Sequence, residues 1–160
     1  MSRPDSNRAE MRRGARLSVV QALYEMEIGG RGVIEAMAEF EAFWIGREVE
    51  DIELPKAEIA FFRDLLGGVV REQRLVDRSV DDTLAAGWPL KRVEAVVRAV
   101  LRAGAYELAF RKDVPARAVI SEYVAVTRAF YEGEEIGMVN AVLDRMAREF
   151  RADEFDQPAA

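Results

Sequence analysis

Apolar residues return every three or four positions along nearly the whole chain, and alternating runs are scarce. That period belongs to the α-helix and excludes a sheet as the organising element, so the fold class is all-α. A first helix is predicted over residues 8–28, with Leu17, Val20, Tyr24 and Ile28 on its apolar stripe and Gly29, Gly30 and Gly32 as its stop. A second, over 33–47, carries Ile34, Met37, Phe40 and Trp44. A charged connection from Arg47 to Pro55 follows. The third is long, over 56–84, with Ile59, Phe62, Leu66, Val69, Val76 and Val80 in register. Gly67 and Gly68 inside it cost helix propensity, which points to close approach of a neighbour.

Gly87 and Pro89 interrupt the pattern before a fourth helix over 90–110. Pro115 opens a fifth, lined by Ile120, Tyr123, Val124, Thr127 and Tyr131. After Gly133 a sixth repeats Ile136, Val139, Leu143, Met146 and Phe150. Short connections imply a compact antiparallel bundle. Residues 1–11 read as a polar, basic N-terminal arm, 12–150 as the helical domain and 151–160 as an acidic, disordered tail. The composition around Glu48 to Pro55 suggests the division between a smaller N-terminal half and a larger C-terminal one.

The chain has no cysteine and no histidine. Disulfides, a thiolate nucleophile and zinc sites of the usual ligands are thereby excluded, and so is the commonest general base near neutral pH. No catalytic residue, metal or cofactor is expected. Met1 to Met11 is polar, without the apolar run of a signal peptide, and no stretch is apolar enough to span a membrane. A cytoplasmic location is the expectation.

Charge is distributed unevenly. Arg3, Arg8, Arg12, Arg13 and Arg16 oppose only Asp5 and Glu10 within the first sixteen residues, while the whole chain carries −6. Attraction to a polyanion is therefore local, and nucleic acid held at the N-terminal end is the leading reading. Arg8, Arg12 and Arg16 follow at i, i+4 and i+8, one row on a helix with Arg13 beside it. Such a row can pair with phosphates whatever the base. It is also what a solvated helix end looks like. Tyr24 either stacks on an unpaired base or joins the stripe of Leu17 and Val20 in the core.

A second basic group, Arg111, Lys112 and Arg117, surrounds Asp113 and Pro115. It reads as a contact surface or, preferably, as favourable charge at the end of the preceding helix. Asp77, Asp81 and Asp82 lack the spacing and turn glycine of a divalent-cation loop and read as a solvated face. Asn140, beside Val139 and Leu143, is expected to be a buried amide bonded to neighbouring backbone.

Six segments make the pattern specific. They are Arg12-Arg13-Gly14-Ala15-Arg16 with Val20-Gln21-Ala22-Leu23-Tyr24, and Phe62-Arg63-Asp64-Leu65-Leu66-Gly67-Gly68-Val69. Val100-Leu101-Arg102 with Tyr106-Glu107-Leu108 follows, then Asp113-Val114-Pro115, Ala118-Val119-Ile120-Ser121-Glu122-Tyr123 and Val139-Asn140-Ala141-Val142-Leu143-Asp144. In order and spacing they resemble the NusB family of bacterial transcription antitermination factors over residues 11–150. The resemblance implies a bundle of about six to seven helices in two small subdomains, and a function without catalysis. It implies binding of the single-stranded boxA element of nascent ribosomal RNA together with NusE, a small-subunit ribosomal protein. NusA, NusG and RNA polymerase would complete the larger complex.

Carried over by position, Arg12, Arg13, Arg16, Gln21 and Tyr24 match the family's RNA-contacting first helix. Lys112 and Arg117 match a second part of the RNA surface, and Glu134 an acidic position near the RNA. Asp82, Arg98 and Arg102 are the candidates for NusE. Gly14 stands where the family commonly has a basic residue, Val97 where an acidic NusE-facing one is common, and Met138 where an aromatic is usual. The family's domain also occurs fused ahead of a cytosine methyltransferase, chemistry that a chain without cysteine is not expected to perform. The alternative is a helical adaptor or homodimer without specific RNA binding.

Overall fold

The computed structural model describes residues 4–44, 48–49, 52–53, 58–84 and 93–155. Helix α1 runs Pro4–Gly29, α2 Val33–Glu39, α3 Ile59–Arg71, α4 Gln73–Leu84, α5 Ala95–Phe110, α6 Ala116–Arg128, α7 Glu134–Phe150 and α8 Ala152–Phe155. A π-helical turn, Phe40–Trp44, extends α2. Two-residue strands, β1 (Glu48–Val49) and β2 (Ile52–Glu53), pair antiparallel with Glu48 opposite Glu53 and Val49 opposite Ile52. The fold is all-α apart from this pairing. Gly87 and Pro89 lie outside the described residues.

The chain divides into two units, Met1–Arg71 and Glu72–Ala160. The division is not at Glu48 to Pro55, where composition placed it, but within the stretch read as one long helix. Glu72 separates α3 from α4. Phe61, Phe62, Leu65, Leu66 and Val69 of α3 are buried, with α1 and α2 as its packing partners; Val76, Val80 and Leu84 of α4 are buried, with α5 and α7 as its partners. Apolar period shows that residues are helical. It does not show which neighbour they face.

In the first unit, residues 4–11 are the opening turns of α1 and not an arm. Its end is the glycine stop: Gly30 adopts φ +69° and donates its N–H to Met26 O at 2.9 Å, the left-handed C-terminal motif that a side chain would strain. Gly67 admits α2, since a Cβ there would lie 3.2 Å from Met37 Cε. Phe40 and Phe62 stack with centroids 6.3 Å apart. The apolar stripe of α1, however, is turned from the predicted one. Ala15, Val19, Val20, Ala22 and Leu23 are buried, Leu17 is half-buried, and Ile28 and Ile34 are 65% and 80% exposed.

In the second unit α5 packs on α4, α6 and α7. Gly104 lets α7 come close; a Cβ there would stand 2.8 Å from Leu143 Cδ2. Glu107 is fully buried and accepts a hydrogen bond from Tyr123 Oη at 2.9 Å. Asn140, expected to be buried, is exposed.

Arg151 closes this unit. It is 1% exposed, and its five N–H groups all have acceptors. Nε donates to Leu108 O at 2.6 Å; Nη1 donates to Val114 O at 2.9 Å and Glu154 Oε2 at 2.6 Å. Nη2 reaches Glu107 O at 3.3 Å and Arg111 O at 2.9 Å. Leu108 O is a carbonyl that α5 leaves without a backbone partner at its C-terminal end, while Glu107 O and Arg111 O also accept the N–H groups of Arg111 and Val114. Glu154 in turn accepts the Ala116 N–H at 2.9 Å, satisfying an orphan donor of α6. The stretch read as a disordered tail therefore begins with a buried residue and a packed turn. Residues 156–160 lie outside the described residues.

Arg151→Ala is expected to destabilise the protein by about 3–5 kcal/mol in urea unfolding, because it strands buried acceptors. Arg151→Lys restores only part, having three donors on a point charge. The Ala116 N–H, and then Arg151, hold the Glu154 carboxyl below its ordinary value of 4.5. A lowered folded pKa contributes stability above the unfolded value and loses it as pH falls through the folded one. The stability gap between parent and Glu154→Gln should thus be full at neutral pH and shrink below 4.5; a gap constant down to acid pH would contradict this.

Candidate nucleic-acid interface

Helix α1 has an inner and an outer face, and the arginines divide between them. Arg12 Nε donates to Glu58 Oε2 at 3.2 Å, and Arg8 lies 3.8 Å from the same oxygen. The guanidinium groups of Arg12 and Arg16 sit over the Phe61 ring, 4.5 and 5.0 Å from its centroid. Arg16 is only 4% exposed. The predicted row Arg8, Arg12 and Arg16 is thus directed at Glu58 and Phe61, and Arg16 is not a surface cation. Guanidinium is weakly hydrated and flat, so it covers an aromatic face where an ammonium would stay in water. Charge counting cannot register that preference.

The outer face carries Arg13, Leu17, Gln21 and Tyr24, at successive spacings of four, four and three, which fall on one side of a helix. Arg13 is exposed, Gln21 half-buried and Tyr24 37% exposed. Of the two readings of Tyr24, surface and core, the structure gives surface. A cation, an amide and a phenol ring on one stripe are the kinds of group that meet the phosphates, base edges and base faces of unpaired strands. The turned register had a signal in the sequence: Ala15, Val19 and Ala22 form an equally regular stripe beside the bulkier one.

The second unit gathers cations where α5 gives way to α6. Lys112 is exposed between the helices, and Arg117 is exposed on the first turn of α6. The Arg117 guanidinium lies 5.1 Å from the centroid of the Phe155 ring, and that of Arg148 lies 4.8 Å from it. Neither Arg148 nor Phe155 was singled out by sequence. Glu134 is exposed on the first turn of α7, a favourable place for negative charge. It follows the far end of α6, so about 17 Å of helix separates it from Arg117, and the structure does not bring the two together. Asp82 is exposed on α4; Arg98 donates to Val93 O; Arg102 Nε donates to Asp77 Oδ1 at 2.7 Å, tying α5 to α4. Among the described residues no group of three or more acidic side chains converges as a metal site. No described helix is long and apolar enough to cross a membrane.

The sequence model of the NusB family matches residues 13–148. The chain belongs to the NusB family. The transcription antitermination protein NusB of Rhodopseudomonas palustris strain TIE-1 is 61% identical over 155 residues, covering 96% of this chain and 89% of the relative. Thermotoga maritima NusB superposes with a TM-score of 0.72 at 25% identity, covering 98% of this chain and all of that one. A chain of the crystal structure of antitermination factors NusB and NusE in complex with dsRNA gives a TM-score of 0.71 at 22% identity, covering 86% and 96%. That last likeness is one of fold.

The two faces of α1 predict different mutational outcomes. Arg16→Ala should lower the unfolding free energy by about 2 kcal/mol through lost packing on Phe61. Arg13→Ala should change it by less than about 0.5 kcal/mol. Urea titration of both variants checks the ranking, and the reverse order would mean that α1 is turned differently.

Proposed function

We propose that this chain is an antitermination factor that binds the unpaired boxA element of nascent ribosomal RNA together with NusE, in a complex with NusA, NusG and RNA polymerase. The observation that carries the reading is the exposed stripe of Arg13, Gln21 and Tyr24 on α1 in a chain so similar to transcription antitermination proteins. The NusB and NusE structure with dsRNA shares the fold and supports both partners. Arg12 and Arg16 act through α3 in this reading, holding the stripe in register; Lys112 and Arg117 are a second basic group, on the second unit. Asp82 on α4 is the exposed candidate for NusE, whereas Arg98 and Arg102 on α5 are engaged within the fold.

Exposure of Ile28 and Ile34 favours a second reading, an α1–α2 corner that meets a protein, NusE or another copy of the chain. Both readings separate in one titration. Labelled boxA-type RNA and a scrambled control are titrated at two salt concentrations, with solution mass measured alongside. Specific binding should weaken by about 1 kcal/mol or more in Arg13→Ala and in Tyr24→Ala. Only Arg13→Ala should lower the salt slope, by about 1. Equal, weak binding to both RNAs by the parent, with a dimer mass, would favour the adaptor.

A further inference from the structure

We propose that the guanidinium pair of Arg117 and Arg148 is a stacking site for an unpaired RNA base, and that the chain's own Phe155 occupies it in the RNA-free protein. The inference rests on the RNA-binding reading and adds a subsite to it.

Three observations meet here. First, two guanidinium groups from different helices, α6 and α7, lie 5.1 and 4.8 Å from the centroid of one aromatic ring. A flat π-face is what both cations attract, and a nucleobase offers the same face with hydrogen-bonding edges added. Second, Arg117 is exposed and the ring is the partner the structure gives it, whereas Arg148 also holds Asp144 at 2.9 Å on its own helix. The Asp144 contact keeps Arg148 in place when the ring departs. Third, Phe155 is the last residue of α8, and the residue before it is anchored. Glu154 binds Arg151 at 2.6 Å and the Ala116 N–H at 2.9 Å. The ring can therefore swing away while the anchor and the α5 end remain closed. A four-residue helix has no cooperative stability of its own to resist this.

The charge around the ring suits the exchange. Lys112 and Arg117 are both exposed where α5 gives way to α6, so a phosphate attached to the incoming base has two cations to meet. An RNA base arrives with that phosphate, and a phenyl ring does not. The strand consequently outcompetes Phe155, while free aromatic solutes have no such advantage.

The test uses the full chain and a fluorescently labelled single-stranded boxA-type RNA, followed by anisotropy, with unfolding monitored to confirm that each variant is folded. Phe155→Ala is expected to tighten binding about threefold to fivefold, the size of an exposed cation–π contact. Phe155→Trp, which keeps a ring in the site, should bind no more tightly than the parent. Arg117→Lys or Arg148→Lys in the Phe155→Ala background should abolish the gain, because lysine keeps the charge and loses the plane. Unchanged or weaker binding by Phe155→Ala, with Tyr24→Ala still impaired, overturns the subsite and leaves the proposed function standing. Failure of the parent itself to bind RNA overturns both.

Discussion

A guanidinium group leaves water only where its N–H groups find acceptors and its face finds something flat or apolar to cover. That constraint organises this protein at both of its units. Arg151 meets it completely, with five donors on four backbone carbonyls and one carboxylate. Arg12 and Arg16 meet it on Glu58 and Phe61, and Arg102 on Asp77. Among the described residues no buried side-chain nitrogen or oxygen lacks a partner. Desolvated cations of this kind are costly when left alone and tolerable only with their partners in place.

The same constraint sorts structural cations from those available to a polyanion. The chain is acidic overall, so an RNA surface needs cations that the fold leaves exposed. On α1 Arg8 and Arg13 are exposed and Arg16 is not; where α5 gives way to α6 Lys112 and Arg117 are exposed and Arg151 is not. Arg151 closes the corner from which Arg117 projects, and Arg16 seats the helix from which Arg13 projects. Buried and exposed arginines are neighbours here, so substitutions only a few residues apart are expected to act on different properties.

The relatives show how little of the surface chemistry the fold requires. T. maritima NusB keeps the architecture at 25% identity. Helix bundles tolerate such divergence when apolar period and volume persist. Close approaches are less tolerant. Gly104 against Leu143 and Gly67 against Met37 leave little room for a side chain on either helix.

Much of the architecture could be read from the residues. Helical period, the glycine stop at Gly30 and the start after Pro115 are local properties, set by backbone conformation and by which side chains repeat. The family resemblance, too, needed only order and spacing. Tertiary structure decided the rest. It divided the stretch from 56 to 84 at Glu72, because α3 and α4 find different partners. It turned α1 so that Arg16 went inward and Tyr24 outward, and it made the start of the acidic tail a cap for α5 and α6. Each of these depends on an aromatic ring, a carbonyl or a carboxylate distant in sequence. A chain's own residues state which groups are polar and how often they recur, but only the folded neighbours determine whether a charge ends in water or against a ring.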